Sequence, residues 1–200
     1  MGVVMKDKYI LTDVDGVCLD WEEAFDIWMV NQGHTPVKDY KKMYGIHNRF
    51  NIQKPVSRHM VRMFNTSASI GFLPPLRDAQ HYIKLIHEKH KYKFIAVTSL
   101  SLDPYAQKLR ERNLSKLFGD NTFEKVICLD TGADKDEILC ELSETYSGCY
   151  WIEDKPENAE VGAACGFESL LVRHGHNMTA KGDFKSMKNW EEIYHEVTGY

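Results

Sequence analysis

Two hundred residues with a mass of 23.2 kDa suffice for one compact domain, or one domain carrying a modest insertion. Apolar residues make up 43% and charged residues 27%, which excludes a disordered chain or a disulfide scaffold and requires a buried core. The net charge of −4 conceals an asymmetry: from Ile27 to Arg77, Lys38, Lys41, Lys42, Arg49, Lys54, Arg58, Arg62 and Arg77 face the single acid Asp39, giving +7 there and −11 elsewhere. A basic segment on an acidic body suggests an anion held between them.

In chain order, Met1-Gly2-Val3-Val4-Met5-Lys6 has no apolar stretch of signal-peptide length, and Lys6 stands where a myristoylation signal wants Ser or Thr. No run approaches the roughly 18 apolar residues of a membrane helix. The five cysteines, Cys18, Cys128, Cys140, Cys149 and Cys165, form no C-x-x-C pair and read as reduced residues of a cytoplasmic protein. Short apolar runs predict strands over residues 9–12, 94–98, 125–129, 150–153 and 168–172. Between them fall helical stripes: Ala79, Tyr82, Ile83 and Ile86, then Ile138, Leu139 and Leu142, and lastly Trp190, Ile193, Tyr194 and Val197. Asp103-Pro104 opens a further helix, and Ala159, Gly162 and Ala163 give a small-residue face that packs close to a sheet, with Gly166 stopping the helix. Alternation of this kind predicts an α/β fold, a parallel sheet between helical layers.

One interval is too long for a crossover. Residues 78–89 supply the helix before the second strand, which leaves residues 20–75 as an insertion. Asp20 with Glu23 resembles a capping box. Trp21, Phe25, Trp28 and Met29 make one apolar face, and Val56, Met60, Met63 and Phe64 another. The expected organisation is an α/β core over 1–19 and 76–200, with a small basic helical cap over 20–75.

Chemistry concentrates at predicted strand ends. Asp13 and Asp15, in Thr12-Asp13-Val14-Asp15-Gly16-Val17, follow the first strand, where open α/β sheets bind ligands. Two buried carboxylates this close need a cation or a proton between them. Thr98-Ser99 ends the second strand and Glu153-Asp154 the fourth, with Lys135 opening the helix before it. The histidines offer no H-x-x-x-H with a matching acid, so no zinc site is assigned. A receiver domain would carry its reactive Asp after a later strand and has no room for a cap.

This set resembles the haloacid dehalogenase superfamily of phosphohydrolases over the whole chain outside the cap. The resemblance implies a three-layer Rossmann-like sheet of strand order 5-4-1-2-3, with the insertion at the C1 cap position. It implies Asp13 as the nucleophile that becomes an aspartyl-phosphate, and Asp15 as the acid and base for leaving group and water. Thr98 would hold a phosphoryl oxygen and Lys135 would neutralise charge on Asp13. Asp154, with Asp13, Asp15 and Glu153, would hold Mg²⁺, a cation that takes oxygen ligands.

The opening Asp13-Val14-Asp15-Gly16-Val17-Cys18-Leu19-Asp20-Trp21 is similar to that of the 5′(3′)-deoxyribonucleotidases, D-M-D-G-V-L-A-D-F, whose final aromatic packs on the base. Trp21 is therefore either a base platform or core of the cap. Gly71-Phe72-Leu73-Pro74-Pro75 and Thr98-Ser99 are similar as well, so Phe72 and Ser99 join Trp21 as substrate-binding candidates. The fourth motif departs: Glu153-Asp154-Lys155-Pro156 stands where the nucleotidases have D-D-R-P. The expected substrate is a small phosphate ester, a nucleoside monophosphate foremost. A polynucleotide 3′-phosphatase acting on nucleic-acid ends is the enzymatic alternative, and a non-catalytic phosphate- or partner-binding module the alternative of another class. No membrane partner is expected, and the oligomeric state stays open.

Overall fold

A computed structural model describes residues 8–43 and 45–200; the expectations for the extreme N-terminus fall outside the described residues. The chain opens with β1 (Lys8–Thr12) and passes into helices α1 (Trp21–Asn31), α2 (Ile46–Arg49) and α3 (Lys54–Asn65), with short 3-10 turns at Tyr40–Lys42 and Ala68–Phe72. Strands and helices then alternate: α4 (Ala79–His90), β2 (Tyr92–Thr98), α5 (Pro104–Phe118), β3 (Phe123–Cys128), α6 (Asp136–Tyr146), β4 (Tyr150–Glu153), α7 (Pro156–Ala164), β5 (Glu168–Val172), β6 (Lys185–Met187) and α8 (Trp190–Thr198). All strand pairs are parallel, in the order β3-β2-β1-β4-β5-β6. The five expected strands take the expected order, and β6 extends the sheet by one edge strand beside β5. No helix among the described residues is long and apolar enough to cross a membrane.

The two-residue period of a strand sorts its side chains into two cores. Ile10, Phe94, Ala96, Ile152 and Leu170 face one layer, where they meet Ile83 and Ile86 of α4, Leu114 of α5 and Trp190 of α8. Leu11, Ile95, Val97 and Trp151 face the other, against Leu139 and Leu142 of α6. Helix α7 approaches the sheet closely because Gly162 lacks a side chain: a Cβ there would lie 2.2 Å from Trp151 Cδ1. Asp103 caps α5 by accepting from the Tyr105 amide at 2.9 Å.

The inserted helices share the first core rather than forming their own, since Phe25, Met29 and Phe64 join the same cluster as Val14, Val17 and Leu19. On α1, Asp20 accepts from the Glu23 amide at 3.1 Å, but Glu23 turns to Lys41 at 2.7 Å, so only half of a capping box forms. On α3 the buried stripe is Ser57, Met60 and Phe64, whereas Val56 and Met63 are exposed. Positions 56 and 63 lie beside that stripe, about 40° and 60° around the helix from Met60 toward solvent, which corrects the expected face.

Candidate active site

At the C-terminal edge of the sheet, β1 releases Asp13, whose amide still bonds Ile152 O at 2.8 Å. The chain turns at Gly16 with φ +78°, and a Cβ there would lie 2.4 Å from Asp154 Oδ2. That close approach brings the acids of β1 and β4 together, and only glycine permits it.

Lys135, at the N-terminus of α6, is buried and donates to Asp13 Oδ1 and to Glu153 Oε2, each at 2.8 Å. Glu153 also accepts from the Asp154 and Lys155 amides on Oε1 and from Asn158 Nδ2 on Oε2. Its oxygens are thus filled by protein donors, and its evident work is to aim Lys135. Ligand atoms of Asp13, Glu153 and Asp154 lie within 4.8 Å of one another, a spacing that could hold a metal ion.

The charges in this nest do not balance among themselves. Burial pushes the Asp13 carboxyl up to about 7, against the pull of Lys135 and with the repulsion of Glu153 and Asp15 added. Burial, then the charges of Glu153 and Asp13, raise Asp154 well above an ordinary carboxyl. Burial opposes the Lys135 ammonium, yet the charges of Asp13 and Glu153 hold its pKa above the usual lysine value. Lys135 and the amide donors keep Glu153 low in spite of its burial. Three carboxylates around one ammonium leave an excess of negative charge that an oxygen-loving divalent cation would relieve.

Asp15 stands apart from that nest. Both its oxygens are taken by Arg110 of α5, Nη1 to Oδ1 at 2.5 Å and Nη2 to Oδ2 at 3.0 Å, with the arginine wholly buried. Sequence reasoning missed Arg110. Folding buries it on one face of α5 with Ala106, Asn113 and Leu114. Thr98, ending β2, has a buried Oγ1 with no hydrogen-bond partner among the described residues.

Above these groups lies a cleft of about 560 Å³. Asp15, Gly16, Ser99, Asp154, Thr131 and Gly132 line its sheet side, and Trp21, Glu22, Arg49, Arg58, Arg62 and Asn65 its inserted side. Arg58 and Arg62 are one helical turn apart on α3; Arg62 forks onto Asp130 at 3.0 and 3.2 Å, while Arg58 forms no ion pair among the described residues. Trp21 reaches the cleft, yet it stacks on Phe25 with centroids 4.7 Å apart and donates to Asn65 Oδ1 at 2.9 Å. It is thereby both wall and core. Ser99 lines the cleft and donates to Ala133 O at 2.8 Å. Phe72 does not line it; its side is 72% exposed.

The loop after β5 supplies two supports that the sequence did not reveal. His174 Nε2 lies 2.7 Å from Gly16 O, and Asn177 Nδ2 donates to Asp154 O at 2.7 Å. Both acid-bearing turns are thus tied to one loop. His174 and His176 stack at 5.5 Å and line the cleft, and burial lowers the pKa of each.

No protein-family model matches the chain. It is 29% identical over 192 residues to an uncharacterised 32.4 kDa protein of Enterobacteria phage T4, a match that covers 92% of this chain and 66% of that protein. The chain therefore spans just under two thirds of that relative's length. Among solved structures it resembles the magnesium-bound YfnB of Bacillus subtilis, described as a HAD-hydrolase, with TM-score 0.63 and 16% identity over 96% of this chain and 99% of that one. It also resembles the haloacid dehalogenase-like family hydrolase SP0104 of Streptococcus pneumoniae, with TM-score 0.64 and 14% identity over 95% and 98%. A third is the L-2-haloacid dehalogenase of Xanthobacter autotrophicus with chloropropionic acid covalently bound, with TM-score 0.62 and 10% identity over 97% and 99%. The protein is thus built on the haloacid dehalogenase-like α/β fold, with its acid nest at the strand ends.

Proposed function

We propose that the protein is a Mg²⁺-dependent phosphomonoesterase that hydrolyses a small phosphate ester, foremost a nucleoside monophosphate, through an aspartyl-phosphate on Asp13. One observation carries the reading: Lys135 bridges Asp13 and Glu153 at 2.8 Å beneath a cleft that Asp15 and Asp154 line. Fold alone would not carry it, because one fold hosts many chemistries.

In this reading Asp13 attacks phosphorus while Asp15, which faces the cleft, frees one oxygen from the Arg110 fork, takes up a proton there and gives it to the departing ester oxygen. Asp15 then takes a proton from the water that attacks the acyl-phosphate, releasing phosphate and restoring Asp13. Lys135 keeps the Asp13 carboxylate aimed and offsets charge on the phosphoryl oxygens. The unpartnered Thr98 hydroxyl donates to one of those oxygens. Mg²⁺, held by Asp13 and Asp154, would supply charge neutralisation on the reacting phosphoryl group. Arg58 and Arg62 face the leaving group from α3, so residues 20–75 act as the cap of the site. Trp21 offers one aromatic wall to a base.

A second reading, a phosphatase for 3′-phosphorylated nucleic-acid ends, is favoured by the run of Arg58 and Arg62 along the cleft. A phosphate-release screen separates the readings, using mononucleotides, sugar phosphates and 3′-phosphorylated oligonucleotides, with Mg²⁺ or a chelator. The expected result is Mg²⁺-dependent release from mononucleotides, reduced about a thousandfold or more in Asp13→Asn. Equal release by that variant would overturn the nucleophile assignment. Oligonucleotide turnover that collapses with added salt would favour the second reading, and binding without turnover a non-catalytic module.

A further inference from the structure

Five cysteines lie scattered in the sequence, and folding brings two of them together. Cys140 on α6 and Cys165, the residue that caps the C-terminus of α7, have their sulfurs 2.9 Å apart. Both are free thiols; Cys140 is exposed and Cys165 half-buried. Neither lines the cleft. A disulfide needs sulfurs at about 2.05 Å, so closure asks for a shift of about 0.9 Å, within reach of side-chain rotation at an exposed position.

We propose that Cys140 and Cys165 form an oxidisable dithiol, a modification site that closes to an intrachain disulfide between α6 and α7 on exposure to a hydroperoxide. Cys140, the exposed sulfur, meets the oxidant first: its thiol becomes a sulfenic acid as the O–O bond breaks and, with hydrogen peroxide, one water leaves. The Cys165 sulfur then attacks the sulfenic sulfur, the S–O bond breaks, and the second water carries away the oxygen. Two electrons pass from the two thiols to the peroxide, which ends as two waters. Burial and contact with Cys140 push the Cys165 thiol up to about 11, so Cys165 is not the first sulfur to react.

The bridge has a defined mechanical meaning. Lys135 sits at the start of α6, and Asn158 of α7 donates to Glu153, so these two helices present the partners of the acid nest. A link between Cys140 and Cys165 clamps the helices to each other away from the cleft. The sulfurs are 25 residues apart in sequence, so the link also constrains the unfolded chain and raises the thermal midpoint, on the order of 5 °C.

The test uses the native full chain, exposed to hydrogen peroxide without denaturant, then alkylated and mapped by mass spectrometry. The thiol titre should fall from five to three, with a Cys140–Cys165 linked peptide, a monomeric chain, a raised thermal midpoint, and reversal by dithiothreitol. Cys140→Ser and Cys165→Ser, each at an accessible position, should form no intrachain link under the same exposure. A titre that stays at five, thiol loss without the Cys140–Cys165 peptide, or a link between two chains would overturn the proposal. Phosphatase activity plays no part in the readout.

Discussion

Arg110 holds both oxygens of Asp15 in a fork, and lysine, a point charge on a flexible stem, cannot reproduce that geometry. Arg110→Lys should therefore keep the charge and lose the orientation. The expected outcome is a kcat at least about tenfold lower with KM little changed, measured on the best substrate of the screen. A kcat equal to that of the wild type would show that Arg110 serves only the fold. Here the sequence was readable for Asp13, Asp15, Glu153 and Asp154 because they directly follow apolar runs, at the sheet edge where open α/β folds bind ligands. It was not readable for Arg110, which is flanked by Lys108, Glu111 and Arg112 and so looks like part of a solvated face. Its partner lies 95 residues away, a contact that only the β1–β2 pairing creates.

Among the elements, the inserted helices carry the least expected chemistry. Arg49 is buried and pairs with Glu22 and Asp26, yet Arg49 Nε and Asp26 Oδ1 are left without hydrogen-bond partners. Burial pushes Asp26 up to about 6, with Arg49 offsetting part and Glu22 adding to it. A carboxyl whose folded pKa lies above its unfolded value favours the native state below the unfolded pKa, and that advantage is lost as pH rises through the folded one. The stability of the wild type relative to Asp26→Asn should thus fall by on the order of 2 kcal/mol between about pH 4 and pH 7. Denaturant titration of both proteins at the two ends of that window checks it. A gap that widens with pH would mean that Arg49 outweighs burial. On the opposite layer, Gly162→Ala forces a methyl against Trp151 and should cost about 1–3 kcal/mol in the same assay; no loss would show that α7 can slide. The small-residue face of α7 was legible because Ala159, Gly162 and Ala163 recur at helical spacing. Strand β6 was not, since its three residues, Lys185–Met187, lack the apolar run of a central strand and follow a polar loop.

At the scale of the whole molecule, parallel pairing sets the C-terminal ends of β1, β2 and β4 side by side, and so gathers groups from four distant stretches. The basic insertion lies over this acidic edge through Trp21–Asn65–Leu100 hydrogen bonds and the Arg62–Asp130 fork. The cleft carries Arg49, Arg58 and Arg62 on one wall, with Glu22 among them, and Asp15 and Asp154 on the other. Sequence spacing did not reveal that helices α1 and α3 share the first core with β1 and α4. The proposed chemistry turns on one bond, between an Asp13 oxygen and the phosphorus of the substrate. Acid-quenched single turnover with the preferred substrate and Mg²⁺, followed by peptide mapping, reads that bond directly. A phosphoryl group on the Asp13 peptide, absent from Asp13→Asn, is the expected result; turnover with the label on another residue, or on none under single-turnover conditions, would rule out Asp13 as the nucleophile.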